Sequence, residues 1–311
     1  MSASTLRDID EAAGACVAAA PPAGGGAGGA GRGRAASQAA PPTVVIGEGA
    51  SRGFGFREIW EYRELLWFLT WREIQGVYRQ TALGMTWVFL RPLLNVLVLS
   101  VVFGKIVRVP SEGMPYPLFA LVALLPWSYF SGAAARGARS LVDNMHLISK
   151  VYFPRIVIPL AGTVSGLVDF AASFLVLLAA MQFYRMPARI EMLWLPLFLA
   201  IAFCLALAIG LWLATLSVKY RDVSFAVTFV LQALMYASPV IYPAAMVPER
   251  WQFLYSLNPM VGVIQGFRWM LLGQNAPGGA AFAASLALCL AALAGGAYVF
   301  RRTERSVVDL L

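Results

Sequence analysis

The stretch LWLPLFLAIAFCLALAIGLWLATLS, residues 193–217, decides the fold class of this chain. It carries no charged side chain and exceeds the roughly 20 apolar residues that a helix needs to cross the hydrocarbon core of a bilayer. Comparable apolar runs recur at about 86–107, 117–139, 154–183, 223–244 and 278–300. We therefore predict an all-α polytopic membrane protein in which residues 83–300 form a domain of six transmembrane helices.

The composition agrees with a membrane protein. Of the 311 residues, 59% are hydrophobic and 13% are charged, whereas soluble domains carry about 25% charged residues. The net charge of +8 does not predict a nucleic-acid partner, because the basic residues are scattered between apolar runs, as expected for loops that fix orientation. Cys16, Cys204 and Cys289 form no CxxC pair, so neither a zinc site nor a disulfide framework is predicted.

The two ends of the chain differ from the apolar runs. Residues 1–52 include AAAPPAGGGAGGAGRGRAASQAAPP, which predicts a disordered cytoplasmic tail. This segment has no cationic stretch followed by an apolar one, so it is not a secretory signal. Its glycine run lacks the GK[ST] ending of a phosphate-binding loop. Residues 301–311 are predicted to form a second, short cytoplasmic tail.

Residues 53–82 predict an amphipathic helix that runs from Phe56 to Gln80. An indole-rich apolar face opposite a charged face is typical of a helix that lies in the headgroup plane of a membrane. The charged face holds Arg57, Glu58, Glu61, Glu64, Arg72 and Arg79. The apolar face holds Ile59, Trp60, Leu66, Trp67, Trp71, Ile74, Val77 and Tyr78.

Residues 254–273 are apolar but interrupted by Asn258-Pro259, Gln265 and Arg268. We interpret them as two short re-entrant helices in the outer leaflet, between the fifth and sixth transmembrane helices. The basic residues give a moderate bias in orientation that places both termini in the cytoplasm. The cytoplasmic set is Arg57, Arg63, Arg72, Arg79, Arg139, Lys150, Arg155, Lys219, Arg221, Arg301, Arg302 and Arg305, and the opposite loops hold Lys105, Arg108, Arg185, Arg189 and Arg250.

The stretch NMHLISKVYFPRIVIPL, which begins at Asn144, is then a short cytoplasmic loop between two membrane helices. It contains His146, the only histidine of the chain, whose nearest acidic neighbour is Asp143. General acid–base or di-histidine metal chemistry would need further partners. We therefore predict no catalytic residue and no metal site, and we interpret the loop as a docking surface for a soluble protein.

Five blocks together resemble the polysaccharide-export permeases of the type-2 ABC exporter family, and most of all its O-antigen permeases. Capsule and teichoic-acid export permeases are near relatives. The resemblance covers roughly residues 56–305 and excludes the N-terminal tail. The blocks are YRQTALGMTWVFLRPLLNVLVLSVVFG, NMHLISKVYFPRIVIPL, VKYRDV, YASPVIYP and LNPMVGVIQGFRWMLLG.

The resemblance implies a functional homodimer in the bacterial inner membrane, driven by a dimer of cytosolic ABC ATPase subunits. The chain has no Walker A motif, so ATP and Mg²⁺ would be bound by that partner and this chain would need no cofactor. The loop from Asn144 to Arg155 would be the coupling helix, in which Tyr152 and Phe153 fill a cleft of the ATPase and charged residues anchor it. The implied coupling residues are Asn144, His146, Lys150, Tyr152, Phe153 and Arg155.

The implied substrate is a polysaccharide linked to undecaprenyl pyrophosphate. Arg79 and Arg91 would bind its pyrophosphate near Leu83 and Gly84. The alternative is that these arginines extend to lipid headgroups. Aromatic residues in the membrane interior would line the sugar path, with helix packing as the alternative. The candidates are Trp87, Trp127, Tyr129, Phe130, Tyr236 and Tyr242. We further predict that Asp169, a carboxylate in a membrane helix, pairs with Arg268 to close an outer gate.

The resemblance leaves other functions open. A related permease could export capsule, teichoic acid, a lipo-oligosaccharide or a drug. A membrane-embedded sugar transferase is a different class, which would need a set of carboxylates or histidines that this sequence lacks. We therefore expect a transport subunit without enzymatic activity of its own.

Overall fold

The computed structural model describes residues 60–78, 84, 86–151, 153–220 and 222–307. The predicted N-terminal tail, residues 1–52, lies outside them. The described residues form helices and connecting loops and no strand. The main helices are α1 Arg63–Tyr78, α2 Thr86–Leu99, α3 Tyr116–Asp143, α4 Met145–Ile148, α5 Val157–Phe183, α6 Leu195–Lys219, α7 Val223–Tyr236, α8 Glu249–Ser256, α9 Pro259–Leu272 and α10 Gly279–Val307.

Three shorter helical segments complete this list. A π-helix, Ser100–Ile106, continues α2, and 3₁₀ turns cover Ile190–Trp194 and Ala244–Met246. Five helices are long and apolar enough to cross a membrane, and they correspond to predicted runs one to four and six. These candidate spans are Thr86–Ile106, Tyr116–Asp143, Val157–Phe183, Ile190–Lys219 and Gly279–Thr303.

The predicted fifth transmembrane helix, 223–244, is shorter in the structure, because α7 ends at Tyr236. Ser238 precedes Pro239, and Pro243 follows within the same segment. A residue before proline disfavours the helical conformation, and proline has no N–H to donate. The structure therefore shows five helices of crossing length among the described residues. A sixth crossing through α7, which is about 21 Å long at 1.5 Å per residue, stays a prediction.

Helix α3 is the centre of the bundle and packs against α5, α6 and α9. Its side chains from Leu118 to Leu125 are almost fully buried. Helices α3 and α6 cross closely where two glycines meet, since a Cβ on Gly137 would lie 2.7 Å from the Cα of Gly210. Helices with small residues at their crossing point can bring their backbones together in this way.

Helix α1 packs on α5 through Leu69 and Thr70, which are each 3% exposed. Trp67 and Trp71 are exposed and stack with their ring centroids 6.5 Å apart. Neither buried residue belongs to the predicted apolar face, so the bundle occupies a different side of α1 from the indoles. This arrangement leaves the indole side free for a membrane surface.

Two short helices, α8 and α9, lie where the pair of short helices was predicted. The side chain of Asn258 caps α9 by accepting a hydrogen bond of 3.1 Å from the N–H of Met260. Gly273 ends α9 in the left-handed conformation, with φ of 75°, which favours glycine. Their location in the outer leaflet stays a prediction.

Candidate functional site

The loop between α3 and α5 has a single short helix, α4. His146, Ser149, Lys150 and Val151 are exposed along it. We call residues 144–155 the coupling loop. Its exposed cation and apolar side chains form a surface that a separate protein can contact. Among the described residues, no group of three His, Cys, Asp or Glu side chains is arranged to hold a metal ion.

Phe153 does not belong to the exposed part of the coupling loop. Its side chain is 5% exposed and packs in an apolar cluster with Leu69 of α1 and Leu141 of α3. The prediction that Phe153 fills a cleft of another protein is therefore wrong for this conformation, because the chain's own core covers the ring. Tyr152 lies outside the described residues, and Arg155 is half-buried.

Asn144 joins three parts of the structure at the start of the coupling loop. Its side-chain amide donates a hydrogen bond of 2.8 Å to the carbonyl of Ser140 in α3. Its side-chain oxygen accepts a hydrogen bond from the guanidinium of Arg72 in α1. Asn144 therefore connects α1 to the coupling loop within one chain, a role that its place in the sequence did not indicate.

The residues predicted to receive a pyrophosphate are only partly described. Gly84 adopts a left-handed conformation with φ of 50°, which fits a turn just before α2 and favours glycine. Arg91 is exposed on α2. Arg79 and Leu83 lie outside the described residues, so whether the four residues converge stays a prediction.

The aromatic residues of α3 are buried inside the chain. Trp127, Tyr129 and Phe130 are 4%, 2% and 3% exposed. Tyr129 contacts Phe170 edge-on at 5.9 Å between centroids, and its hydroxyl donates to the carbonyl of Thr163. The prediction that these three residues line a sugar path is wrong for this structure, and the alternative of helix packing is correct.

Exposed aromatic residues instead follow one face of α7. Phe225, Phe229 and Tyr236 are 82%, 74% and 53% exposed. At 100° per residue they share a face with Gln232, which is also exposed. Only Tyr236 was predicted, but the spacing of four and seven residues in the sequence could have revealed the other two. Trp87 and Tyr242 are half-buried, and the Tyr242 hydroxyl donates to the carbonyl of Tyr236 at 3.0 Å.

The predicted ion pair between Asp169 and Arg268 is not present. Asp169 pairs with Arg136 of α3, with 3.3 Å between a carboxylate oxygen and a guanidinium nitrogen. Arg268 is 2% exposed, and its carbon Cζ lies 3.7 Å from the centre of the Phe119 ring. The prediction that Asp169 pairs with Arg268 is therefore wrong. The side of its helix on which each residue lies depends on helix packing, which the sequence does not show.

Arg268 holds the non-helical segment that follows α7. Its two terminal nitrogens donate to the carbonyls of Val240 and Tyr242 at 3.4 and 3.3 Å. The hydroxyl of Tyr116 donates to the carbonyl between them, on Ile241, at 2.9 Å. We call residues 237–243 the pinned segment. Three consecutive carbonyls of the pinned segment therefore have side-chain donors from α3 and α9.

Comparison with known proteins identifies the family of this bundle. A family model described as ABC-2 type transporter matches residues 64–272. The chain belongs to the ABC-2 type transporter family. The match begins in α1 and ends at the last residue of α9, so it includes the coupling loop, α7 and the pinned segment.

Curated relatives of this ABC-2 permease have names that refer to export or transport. The chain is 32% identical over 254 residues to the O-antigen export system permease protein RfbA of Myxococcus xanthus, covering 80% of this chain and 96% of that one. It is 26% identical over 210 residues to RfbA of Klebsiella pneumoniae, covering 67% and 80%. It is also 23% identical over 195 residues to the polysialic acid transport protein KpsM of Escherichia coli, covering 62% and 76%. The chain is thus similar to transport components.

Proposed function

We propose that this ABC-2 permease exports a lipid-linked polysaccharide of the O-antigen type across the bacterial inner membrane. The observation that carries the proposal is the 32% identity to a protein named O-antigen export system permease, over 96% of that protein's length. The names of these two relatives, one for O-antigen and one for polysialic acid, both refer to polysaccharides. An undecaprenyl-pyrophosphate-linked glycan is the substrate that fits this proposal.

The energy would come from a separate pair of ATP-binding subunits that dock on the coupling loop. Support comes from the exposure of His146, Lys150 and Val151 at a turn between two long membrane helices. A short loop at a helix junction can transmit movement directly to both helices. The proposed orientation places the coupling loop and both termini in the cytoplasm. The ATP-binding subunits would bind ATP with Mg²⁺.

The path for the glycan would lie between two copies of the chain. Support comes from α2 and α7, which keep broad apolar faces exposed in the single chain, including Leu93, Leu97 and Val98 on α2. A second copy would cover part of these faces, and membrane lipid would cover the rest. The exposed Phe225, Phe229 and Tyr236 would then present flat rings to the C–H faces of sugars.

The lipid-linked end of the substrate would enter near the turn at Gly84. Support comes from the left-handed conformation of Gly84 and from the exposed Arg91 that follows it on α2. A guanidinium at this position can form paired hydrogen bonds to phosphate oxygens. Arg79 and Leu83 would complete this site.

Deletion of the gene tests the proposed function. We expect glycan on undecaprenyl pyrophosphate to accumulate inside the cell, and polysaccharide to disappear from its surface. A plasmid copy of the gene should restore surface polysaccharide, and a copy truncated before α10 should not. Unchanged surface polysaccharide, together with increased sensitivity to drugs, would instead favour the alternative of a drug-exporting permease.

A further inference from the structure

The two helices that flank the coupling loop are joined by an ion pair within their membrane-spanning lengths. Arg136 belongs to the candidate span Tyr116–Asp143, and Asp169 belongs to Val157–Phe183. Asp169 lies roughly 18 Å along α5 from its first residue, and Arg136 roughly 10 Å from the end of α3. The pair therefore connects α3 and α5 at a distance from the loop itself.

The guanidinium of Arg136 occupies a space that glycines of α5 leave open. Its Nε donates to the carbonyl of Gly162 at 3.0 Å, and its Nη1 contacts the Asp169 carboxylate at 3.3 Å. A Cβ on Gly166 would lie 2.4 Å from its Nη2. Since any larger residue at Gly166 would displace the guanidinium, the surface of α5 is shaped to receive this one side chain of α3.

Arg136 also lines a cavity of about 80 Å³ beside the coupling loop, where α1, α3 and α5 meet. The other charged residues of its wall are Arg72, Glu73, Arg139 and Asp143. Arg72 reaches Asn144 from this wall, so the cavity extends from the side chain of Arg136 to the start of the coupling loop. A movement of the coupling loop would therefore act on α3 and α5 close to the point where Arg136 connects the two helices.

We propose that Arg136 and Asp169 are positioning residues for export, which make α3 and α5 move as one unit when an ATPase subunit displaces the coupling loop. The proposal rests on the proposed function for the identity of the motor. Without this pair, α3 and α5 would resist sliding past each other less strongly, so that ATP hydrolysis would continue with less transport. A charged pair inside a membrane bundle is costly, and a role in coupling explains its presence here.

The test compares Asp169→Asn with Asp169→Glu. Asparagine keeps the size and an oxygen acceptor but loses the charge, while glutamate keeps the charge. For each variant we would measure the amount of permease that co-purifies with its ATPase, the ATP hydrolysis rate of that complex in vesicles, and the surface polysaccharide per assembled complex. We expect Asp169→Asn to keep hydrolysis within twofold and to lower surface polysaccharide per complex at least fivefold. For Asp169→Glu, both the ATP hydrolysis rate and the surface polysaccharide per complex should stay within twofold of the parent.

Glu191→Gln is the matched control, because it breaks an ion pair of 3.1 Å with Arg189 that lies within one exposed segment. Glu191→Gln should change neither the ATP hydrolysis rate nor the surface polysaccharide per complex. An unchanged ratio of export to assembled complex in Asp169→Asn would overturn the proposal, as would an equal loss in Asp169→Glu. If Asp169→Asn does not accumulate, Arg136→Lys replaces it, because lysine keeps the charge but has one nitrogen where two contacts are needed. A parental ratio in Arg136→Lys would also overturn the proposal.

A distance measurement separates this proposal from the identity of the exported molecule. Spin labels on the exposed residues Val142 of α3 and Val168 of α5 would report the separation of the two helices with and without ATP. We expect one narrow distance in both states for the parent, and a broad or shifted distance with ATP for Asp169→Asn. A broad distance in the parent would overturn the proposal even if polysaccharide export is normal. Absence of polysaccharide export with a narrow distance in the parent would contradict only the proposed function.

Discussion

The hydroxyl of Tyr116 donates a hydrogen bond of 2.9 Å to the carbonyl of Ile241, 125 residues further along the chain. Arg268 donates to the carbonyls on either side of it. Val240 and Ile241 are 0% and 3% exposed, so water cannot satisfy these backbone groups. Buried carbonyls outside a helix need other donors, and here α3 and α9 provide them. The pinned segment is thus held to the centre of the bundle at the point where α7 ends.

Replacement of Arg268 by methionine should strongly destabilise the permease. The change removes both donors to Val240 and Tyr242, and each orphaned buried carbonyl costs about 1–3 kcal/mol. Thermal unfolding of the purified protein in detergent measures the loss. Arg250→Met serves as the control, since Arg250 is exposed on α8. Equal unfolding temperatures for the two variants would contradict the pinning role.

A cysteine at position 150 should be protected from a membrane-impermeant thiol reagent in intact cells. The proposed orientation places the exposed Lys150 in the cytoplasm. The experiment uses a background in which Cys16, Cys204 and Cys289 are replaced by serine. Labelling should appear only after the membrane is opened, whereas a cysteine at the exposed Ala188, between α5 and α6, should be labelled in intact cells. The reverse pattern would exclude docking of a cytosolic ATPase on the coupling loop.

Alanine at Phe229 should reduce export without reducing the amount of permease. Its ring is 74% exposed, so little packing within the chain is lost. An aromatic contact is worth about 0.5–1.5 kcal/mol, which corresponds to a roughly two- to tenfold loss of surface polysaccharide. Leu290→Ala, on the exposed side of α10 at 53%, is the control and should export normally. If both variants behave alike, the aromatic face of α7 has no special role in transport.

Alanine at Gly137 should lower the stability of the bundle, because its Cβ would lie 2.7 Å from the backbone of Gly210. Overpacking of this kind costs about 1–3 kcal/mol. Gly76→Ala on α1 is the control, because a Cβ there meets nothing within 4 Å. The thermal unfolding temperature should fall for Gly137→Ala and stay the same or rise for Gly76→Ala.

Membrane-crossing length was readable from the sequence, since it is a local property. Five of the six apolar runs became helices of crossing length. In the remaining run, 223–244, the helix ends at Tyr236, three residues before Pro239, because proline and the residue before it disfavour the helical conformation. A short loop does lie between α3 and α5 as predicted, and its role in coupling stays a prediction. Phe153 is buried there, because an aromatic ring in a loop can turn inward or outward.

The partners of the charged residues could not be predicted. Asp169 pairs with Arg136, 33 residues earlier in the chain, and not with the predicted Arg268, 99 residues later. Which one it meets depends on the rotation of α3, α5 and α9 about their axes. The buried aromatics of α3 were misassigned for the same reason.

By itself, the sequence determined that this chain is an α-helical membrane protein, where most of its helices begin and end, and which family it resembles. Apolar length and proline act on neighbouring residues, so a linear pattern is enough to show their effects. Only the tertiary structure decided that Arg136 faces Asp169, that Arg268 pins the segment after α7, and that the aromatic face left exposed belongs to α7. Those relationships depend on how helices distant in sequence rotate and pack against one another.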